Sequence, residues 1–350
     1  MGLFIAQKMQ RSSVSDKHLM DMETMSRVPL ISPERLFRIE KRQSIPRWQN
    51  EYEPAMKATR DEAPSISRPS TLFWSKIGRD LHFMSLAERH VCILALYHPG
   101  LIDVHEQHAL ERFDAPHPLA DHPRARHLRL PPLRGTVSIT EEMGIPSAHP
   151  VVNIPDKSNS NNTLRAAFPF IGDLLLFMVD DIEPYCVNWS IKTTRTAFYD
   201  KKVATRNAKS RLHDCALSDR HLIEQRYFAD AGIASHFIAA DEFDSHLIAN
   251  LNALCAKAQQ PIILDWQRQE ELIVKFQKIV GTRTTPLAIM DPAMRQIGCS
   301  RQDFVAILYS AIWNRRVRVD LYQPVLVDKP LKAERRDVLV DYAHLFSRGQ

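Results

Sequence analysis

IGDLLLFMVDDIEPYCVNWSIK, residues Ile171 to Lys192, reads as a β-hairpin. An apolar run with Asp173 near its start meets the turn chemistry of VDDIEP. The alternating stretch YCVNWSIK follows. Strand side chains alternate with period two, so Asn188, Ser190 and Lys192 share one face. An acid on one strand thus lies beside a short polar residue and a lysine, two apart, on its neighbour.

The bulk numbers bound what surrounds this hairpin. A chain of 350 residues holds two domains plus extensions, and 44% apolar with 25% charged residues is ordinary for a globular protein. Ten glycines against 22 prolines suggest ordered segments broken by proline-rich connectors, and the net charge of +5 suits contact with a polyanion without demanding it. The cysteines at 92, 186, 215, 255 and 299 are scattered, odd in number and form no C-x-x-C. They read as reduced thiols of a cytoplasmic protein. The N-terminus lacks a signal-length apolar region, and no stretch reaches the length of a membrane span, so no membrane partner is expected.

Upstream of the hairpin, residues 1–70 mix charge with Ser and Pro and read as a partly disordered arm. Within it, ISPERLFRIEKR predicts a short helix with Ser32 as N-cap and Pro33 in its first position. TLFWSKIGRDLHFMS predicts two short strands around a turn. SLAERHVCILALYHPG predicts a helix with Ser85 and Glu88 in the capping-box spacing S-x-x-E, and GLIDVHEQHAL a strand. Residues 112–165, rich in His, Pro and Arg, read as a surface insertion. Its basic run from Arg124 to Arg134 is either a solvated loop or a phosphate contact.

Downstream, Lys201, Lys202, Arg206 and Lys209 form a second basic run, a DNA-backbone candidate weighed evenly against a solvated loop. LSDRHLIEQRYFADAGI predicts a helix ending at Gly232, ASHFIAA a buried strand and DEFDSHLIANLNALCAKA another helix. A strand–helix–strand unit after a hairpin makes an α/β core over residues 71–258, with a mixed sheet flanked by helices. Beyond a boundary near 259 the pattern becomes three helices followed by two strands in RVRVDLYQPVLVDKPL. That is the order of a winged helix-turn-helix domain, over 259–350. A tail helix is expected in KAERRDVLVDYAHLF. The chain has no Gly-rich phosphate loop, no H-E-x-x-H and no G-x-S-x-G, which argues against an ATPase, a dehydrogenase and a serine hydrolase.

An acid followed by a short polar residue and a lysine on the next strand, D…(E/D/Q)-x-K, is the layout of restriction-type nucleases. Such chemistry needs carboxylates for Mg²⁺, a water activated by that metal and a cation to position water or neutralise charge. Asp173 is the central ligand in this reading, Lys192 the cation, and the Ile191 carbonyl a further metal oxygen. Glu88 is the best second carboxylate, although its capping-box position gives it a structural role that can coexist with the first. The histidines at 105, 108, 117, 122 and 127 match no common zinc spacing.

Residues 74–110, WSKIGRDLHFMSLAERHVCILALYHPGLIDVHEQHAL, resemble the start of the catalytic domain of TnsA, the endonuclease subunit of heteromeric DNA transposases. The family's G-R-x-x-H-x-x-S-x-x-E matches Gly78, Arg79, His82, Ser85 and Glu88. Its following strand matches Ile102, Asp103, Val104, Glu106 and Gln107, and its D-x-L-V and Q-x-K strands match Asp173 and Ser190 to Lys192. LIEQRYFADAGI is similar to a later family helix through Glu224, Arg226 and Tyr227, and ILYSAIWNRRVRVDLYQPVL to its winged-helix-like domain. The likeness covers roughly residues 71–335.

The resemblance implies a restriction-endonuclease-like fold. It also implies Mg²⁺-dependent cutting of the 5′ strand at transposon ends, with Glu88, Asp173 and Lys192 in the catalytic roles. The implied partners are a TnsB-like DDE transposase and, through the C-terminal region, a TnsC-like ATPase; the implied compartment is the bacterial cytoplasm, at the nucleoid. The chain departs from the family at Ser190, where Gln is usual, and in the 112–165 insertion. A serine hydroxyl is a shorter, poorer ligand, which Asn188 on the same face would offset. Two other readings stay open: a stand-alone restriction or repair nuclease, and a catalytically degenerate DNA-binding regulator.

Overall fold

The structure, a computed structural model, describes residues 30–156, 162–199 and 217–348. It is a mixed α/β protein built on a four-stranded mixed sheet.

Helix α1 (Pro33–Gln43) starts as its sequence predicts, with Ser32 Oγ accepting the Arg35 N–H at 3.2 Å and Pro33 in the first turn. Strands β1 (Ser70–Trp74) and β2 (Arg79–Phe83) pair antiparallel around a turn closed by Gly78 at φ 80°. Helix α2 (Leu86–Tyr97) is capped by Ser85, and β3 (Leu101–Ala109) follows the Pro99–Gly100 stop. The insertion contributes α3 (Thr136–Glu142) and a ribbon of β4 (Val151–Pro155) with β5 (Thr163–Ala167). The hairpin is β6 (Ile171–Val179) and β7 (Pro184–Lys192). At its turn Asp180 Oδ1 accepts the N–H groups of Ile182 and Glu183 at 2.9 and 3.0 Å. Then come α4 (Asp219–Asp230), β8 (Ala234–Ala239), α5 (Ser245–Ala258), α6 (Trp266–Ile279), α7 (Pro286–Ile297), α8 (Arg301–Trp313) and a short α9 (Val338–Asp341).

The sheet runs β3-β6-β7-β8, with antiparallel neighbours except for the parallel pair β7 and β8, which α4 connects. Period-two alternation sorts its two faces. Leu174, Leu176, Met178, Val187, Trp189 and Ile191 join the large apolar cluster beneath α2 and α5. Leu175, Phe177 and Cys186 join a second cluster with Ile223, Tyr227 and Phe228 of α4. The odd residues of β6 and the even residues of β7, including Asp173, Asn188, Ser190 and Lys192, therefore face α4.

The insertion packs rather than merely loops, since Leu119, Ala125, Leu133 and Ile139 enter the second cluster. The stretch expected as an arm is likewise folded over its described part, 30–69, along β3. Tyr52 Oη donates to the Glu106 carbonyl at 2.9 Å and Ala55 N–H to the Gln107 carbonyl at 2.9 Å.

At the expected boundary near 259 the large cluster does not break. Phe276, Phe304 and Trp313 pack in it together with Trp74 and Leu94. The three expected helices are present as α6, α7 and α8. The two-stranded ribbon expected after them is not, and one isolated bridge joins Val319 to Ala333. The alternation there has another cause. Val317, Val319, Leu321, Val325 and Leu331 are buried, while Asn250 of α5 supplies the hydrogen bonds a partner strand would have made. Its Nδ2 donates to the carbonyls of Leu321 and Gln323 at 2.7 and 2.8 Å, and its Oδ1 accepts the Val325 N–H at 3.1 Å. The expected tail helix shrinks to α9 and a 3-10 turn over Ala343–Phe346. No helix among the described residues is long and apolar enough to cross a membrane.

Candidate functional site

Asp173 is the third residue of β6, directly before the fully buried Leu174, and Lys192 closes β7 beside it. Asp173 Oδ2 accepts the Ile191 N–H at 2.7 Å and the Lys192 ammonium at 3.3 Å. Lys192 also donates to the Ile191 carbonyl at 2.9 Å, and its ammonium stands 5.7 Å from the centroid of the Phe198 ring. Burial works to raise the Asp173 carboxyl. Lys192, Arg220 and the Ile191 N–H overcome it and hold the group below the ordinary aspartate value.

Glu88 is 7% exposed and fully engaged. Its Oε1 accepts the Ser85 hydroxyl at 2.8 Å, and its Oε2 accepts the Met84 N–H and Gln107 Nε2, each at 2.9 Å. Ser85 Oγ in turn accepts the Glu88 N–H at 3.2 Å, so the capping role anticipated for this pair is real. Burial first, and then the nearby Asp173 charge, push the Glu88 carboxyl up to about 7. The charges of Asp173 and Lys192 both act on it, so cap and charged pair occupy one electrostatic neighbourhood.

Two motif stretches interlock behind these groups. Arg79 binds Glu106 through both guanidinium nitrogens, at 2.7 and 2.8 Å, and Glu106 also accepts the His82 N–H at 3.0 Å. Gln107 lies between Glu106, opposite Leu174, and His108, opposite Gly172, which puts it level with Asp173. Its φ of 48° is left-handed, unusual for a non-glycine residue within a strand, and its side chain goes to Glu88. The Glu106–Gln107 pair is thus engaged within the fold.

Ser190 and the Ile191 carbonyl were both expected to face a metal. Ser190 Oγ donates instead to Glu224 Oε1 of α4 at 2.6 Å. Asn188 Nδ2 donates to the same oxygen at 3.0 Å. Both residues are buried, as is Glu224. The Ile191 carbonyl accepts the Lys192 ammonium. Lys201, Lys202, Arg206 and Lys209 lie outside the described residues. In the insertion, Arg124, Arg126 and Arg129 are exposed, whereas Arg134 is tied to Glu142 and Asp230.

Sequence reasoning missed Arg220, whose charge reaches Asp173 from the first turn of α4; nothing in SDRH singles it out. It also missed His108, which lies against Gly172 on the same sheet face. Among the described residues no three His, Cys, Asp or Glu side chains gather as a ready metal cage. A divalent cation here would rely on two carboxylates, a backbone carbonyl and water, an arrangement Mg²⁺ accepts because it keeps much of its hydration. The two acids fit such an ion. They lie close enough for one to raise the other, a repulsion that a cation between them would relieve. No protein-family model matches the chain, and no curated protein matches it.

Proposed function

We propose that the chain is a Mg²⁺-dependent DNA endonuclease subunit of TnsA type, with a restriction-endonuclease-like core. The observation that carries this reading is the meeting of Asp173 and Lys192 on adjacent strands, 3.3 Å apart, with Glu88 raised to about 7 beside them. The order α2, β3, β6, β7, α4, β8 supports it further. Helix, antiparallel three-strand meander, helix and parallel strand bring an acid and a lysine to one end of one sheet face.

Asp173, Glu88 and the Ile191 carbonyl would hold the metal, which when bound supplies an activated water and charge stabilisation at the phosphorus. Glu88, raised to about 7, would be the carboxylate that loses its proton on binding such an ion. Lys192, which pairs with Asp173, would turn its ammonium to the attacking water or the phosphate oxygens. Gln107 and Ser85 keep the Glu88 carboxylate oriented. Asn188 and Ser190 hold Glu224, so the α4 side keeps an acid although the strand position itself carries serine.

In this reading the chain cuts the 5′ strand at transposon ends in the cytoplasm beside a TnsB-like DDE transposase. The C-terminal helical region, 259–350, meets a TnsC-like ATPase. Protein rather than DNA contact there is supported by the arginine cluster after α8, whose members are already paired: Arg315 with Asp337, Arg316 with Glu270, and Arg318 with Glu334 and Asp337.

The test is cleavage of end DNA by the chain with its DDE partner and Mg²⁺. Asp173→Ala and Lys192→Ala each lower 5′-strand cutting by roughly a hundredfold or more. Undiminished cutting by either variant refutes the site, and cutting by the chain alone transfers the assignment to a stand-alone nuclease.

A further inference from the structure

On the same sheet face as Asp173, a cavity of about 460 Å³ opens between β3, α4 and the segment from 42 to 52. That volume is in the range of small-ligand sites. Its walls are aromatic. Trp48 meets Phe177 edge to face at 4.8 Å, Tyr52 stacks on His105 at 3.8 Å between centroids, and Phe228 closes the α4 side. The polar group that stands out is His108. It is 6% exposed, and neither of its ring nitrogens has a hydrogen-bond partner. Buried polar groups of folded proteins are nearly always satisfied, so two orphaned nitrogens on one ring mark a missing partner. Burial lowers this imidazole to about 3, so near neutral pH it offers one donor and one acceptor. Its ring rests on Gly172, the residue before Asp173, where any Cβ would strike it.

A largely aromatic-walled cavity with a neutral donor–acceptor imidazole suits a planar heteroaromatic ring that carries its own donors and acceptors. We infer that this cavity binds a purine or pyrimidine base, turned out of the DNA strand whose phosphate lies at Asp173. Proteins that extrude a base hold it in this way, by stacking and by hydrogen bonds to its edge. The DNA source of the base rests on the nuclease reading. The base site itself does not, because a free nucleoside has the same chemistry.

The experiment separates the two. The full chain is titrated with free 2-aminopurine deoxynucleoside, and separately with end duplexes carrying 2-aminopurine at single positions around the cut. Anisotropy and acrylamide quenching are read for each. One duplex position becomes immobilised and shielded while its neighbours do not. His108→Leu removes the polar edge and Ala115→Trp fills the cavity from its loop wall. Each weakens that signal roughly tenfold or more, the scale of one lost base contact. Both variants are first checked by thermal melting, and two unrelated substitutions keep the result readable if one of them fails to fold. Binding of the nucleoside with no shielded duplex position sustains the base site and overturns its DNA source. Shielding or nucleoside binding that survives both folded variants overturns the cavity assignment, as does the absence of both signals. Duplex cutting without either signal leaves the nuclease reading standing alone.

Discussion

Gln107 donates from Nε2 to Glu88 Oε2 across 2.9 Å, from a backbone held at φ 48°. A left-handed glutamine inside a strand is strained, and strain of this kind persists only where the surroundings impose it. Here the Ala55 N–H donates to the Gln107 carbonyl, and Arg79 holds the preceding residue, Glu106, by its carboxylate. The result is a carboxylate at the start of α2 tethered to the strand that lies beside Asp173.

That carboxylate makes stability depend on pH in a definite direction. Glu88 titrates at about 7 in the fold against 4.5 in a free side chain. Its contribution is fully present below about 4.5 and is lost as pH rises through about 7, a swing of roughly 3 kcal/mol at most. Urea melts at pH 5 and pH 8 therefore show a fall in the native chain that Glu88→Gln largely abolishes. Mg²⁺ narrows the same gap, because it favours the charged form. Equal pH slopes in both proteins would assign the titration elsewhere. Asp173, held low, contributes in the opposite sense and loses its share only as pH falls toward the acid range.

Arg79 and Glu106 form a buried pair, and losing one partner strands the other charge. Arg79→Met or Glu106→Gln costs about 3–5 kcal/mol in unfolding free energy, and the double replacement recovers part of it. Strict additivity of the two single changes would mean that they do not act on one another.

Gly172→Ala drives a methyl into the buried His108 ring, which must shift to admit it. The expected loss is about 1–3 kcal/mol, the range for overpacking a dense interior. In a double-mutant cycle with His108→Ala most of that loss returns, and a cycle without coupling would show that the ring is not the obstacle.

The two arginine groups should part company in DNA binding. Arg316→Ala leaves affinity for end DNA within about twofold, since Glu270 already balances that charge. Replacing Arg124, Arg126 and Arg129 together with alanine lowers affinity and flattens the salt dependence by about three units of slope, if each meets one phosphate. Filter binding between low and moderate salt distinguishes them, and an unchanged slope removes the insertion from the DNA surface.

How much of this was legible beforehand depends on whether the cause was local. The hairpin, the caps at Ser32 and Ser85 and the turns at Gly78 and Gly232 follow from side-chain alternation and backbone freedom within a few residues. The pairing of Asp173 with Lys192 follows from two strands joined by a short turn. The commitment of Ser190 to Glu224 depends on where α4 lands, more than thirty residues along the chain. The ribbon expected after α8 failed for a similar reason. Alternating valines read as strands, but Asn250 from α5 took the backbone groups that a neighbouring strand needed. His108 drew notice only as one of many histidines, and its orphaned nitrogens exist only once the sheet has formed.

The far side of β7 carries a consequence in time. The Trp189 indole N–H donates to the Leu345 carbonyl at 2.7 Å, 156 residues further along the chain, and its ring packs on Phe346. At a synthesis rate of ~5–20 residues per second, the ribosome delivers that carbonyl roughly 8–30 s after the tryptophan. Through that interval the strand bearing Lys192 is made and packed by α2 and α5, but the Trp189 indole N–H lacks its acceptor, so this corner of the sheet matures only when distant sequence arrives to close it.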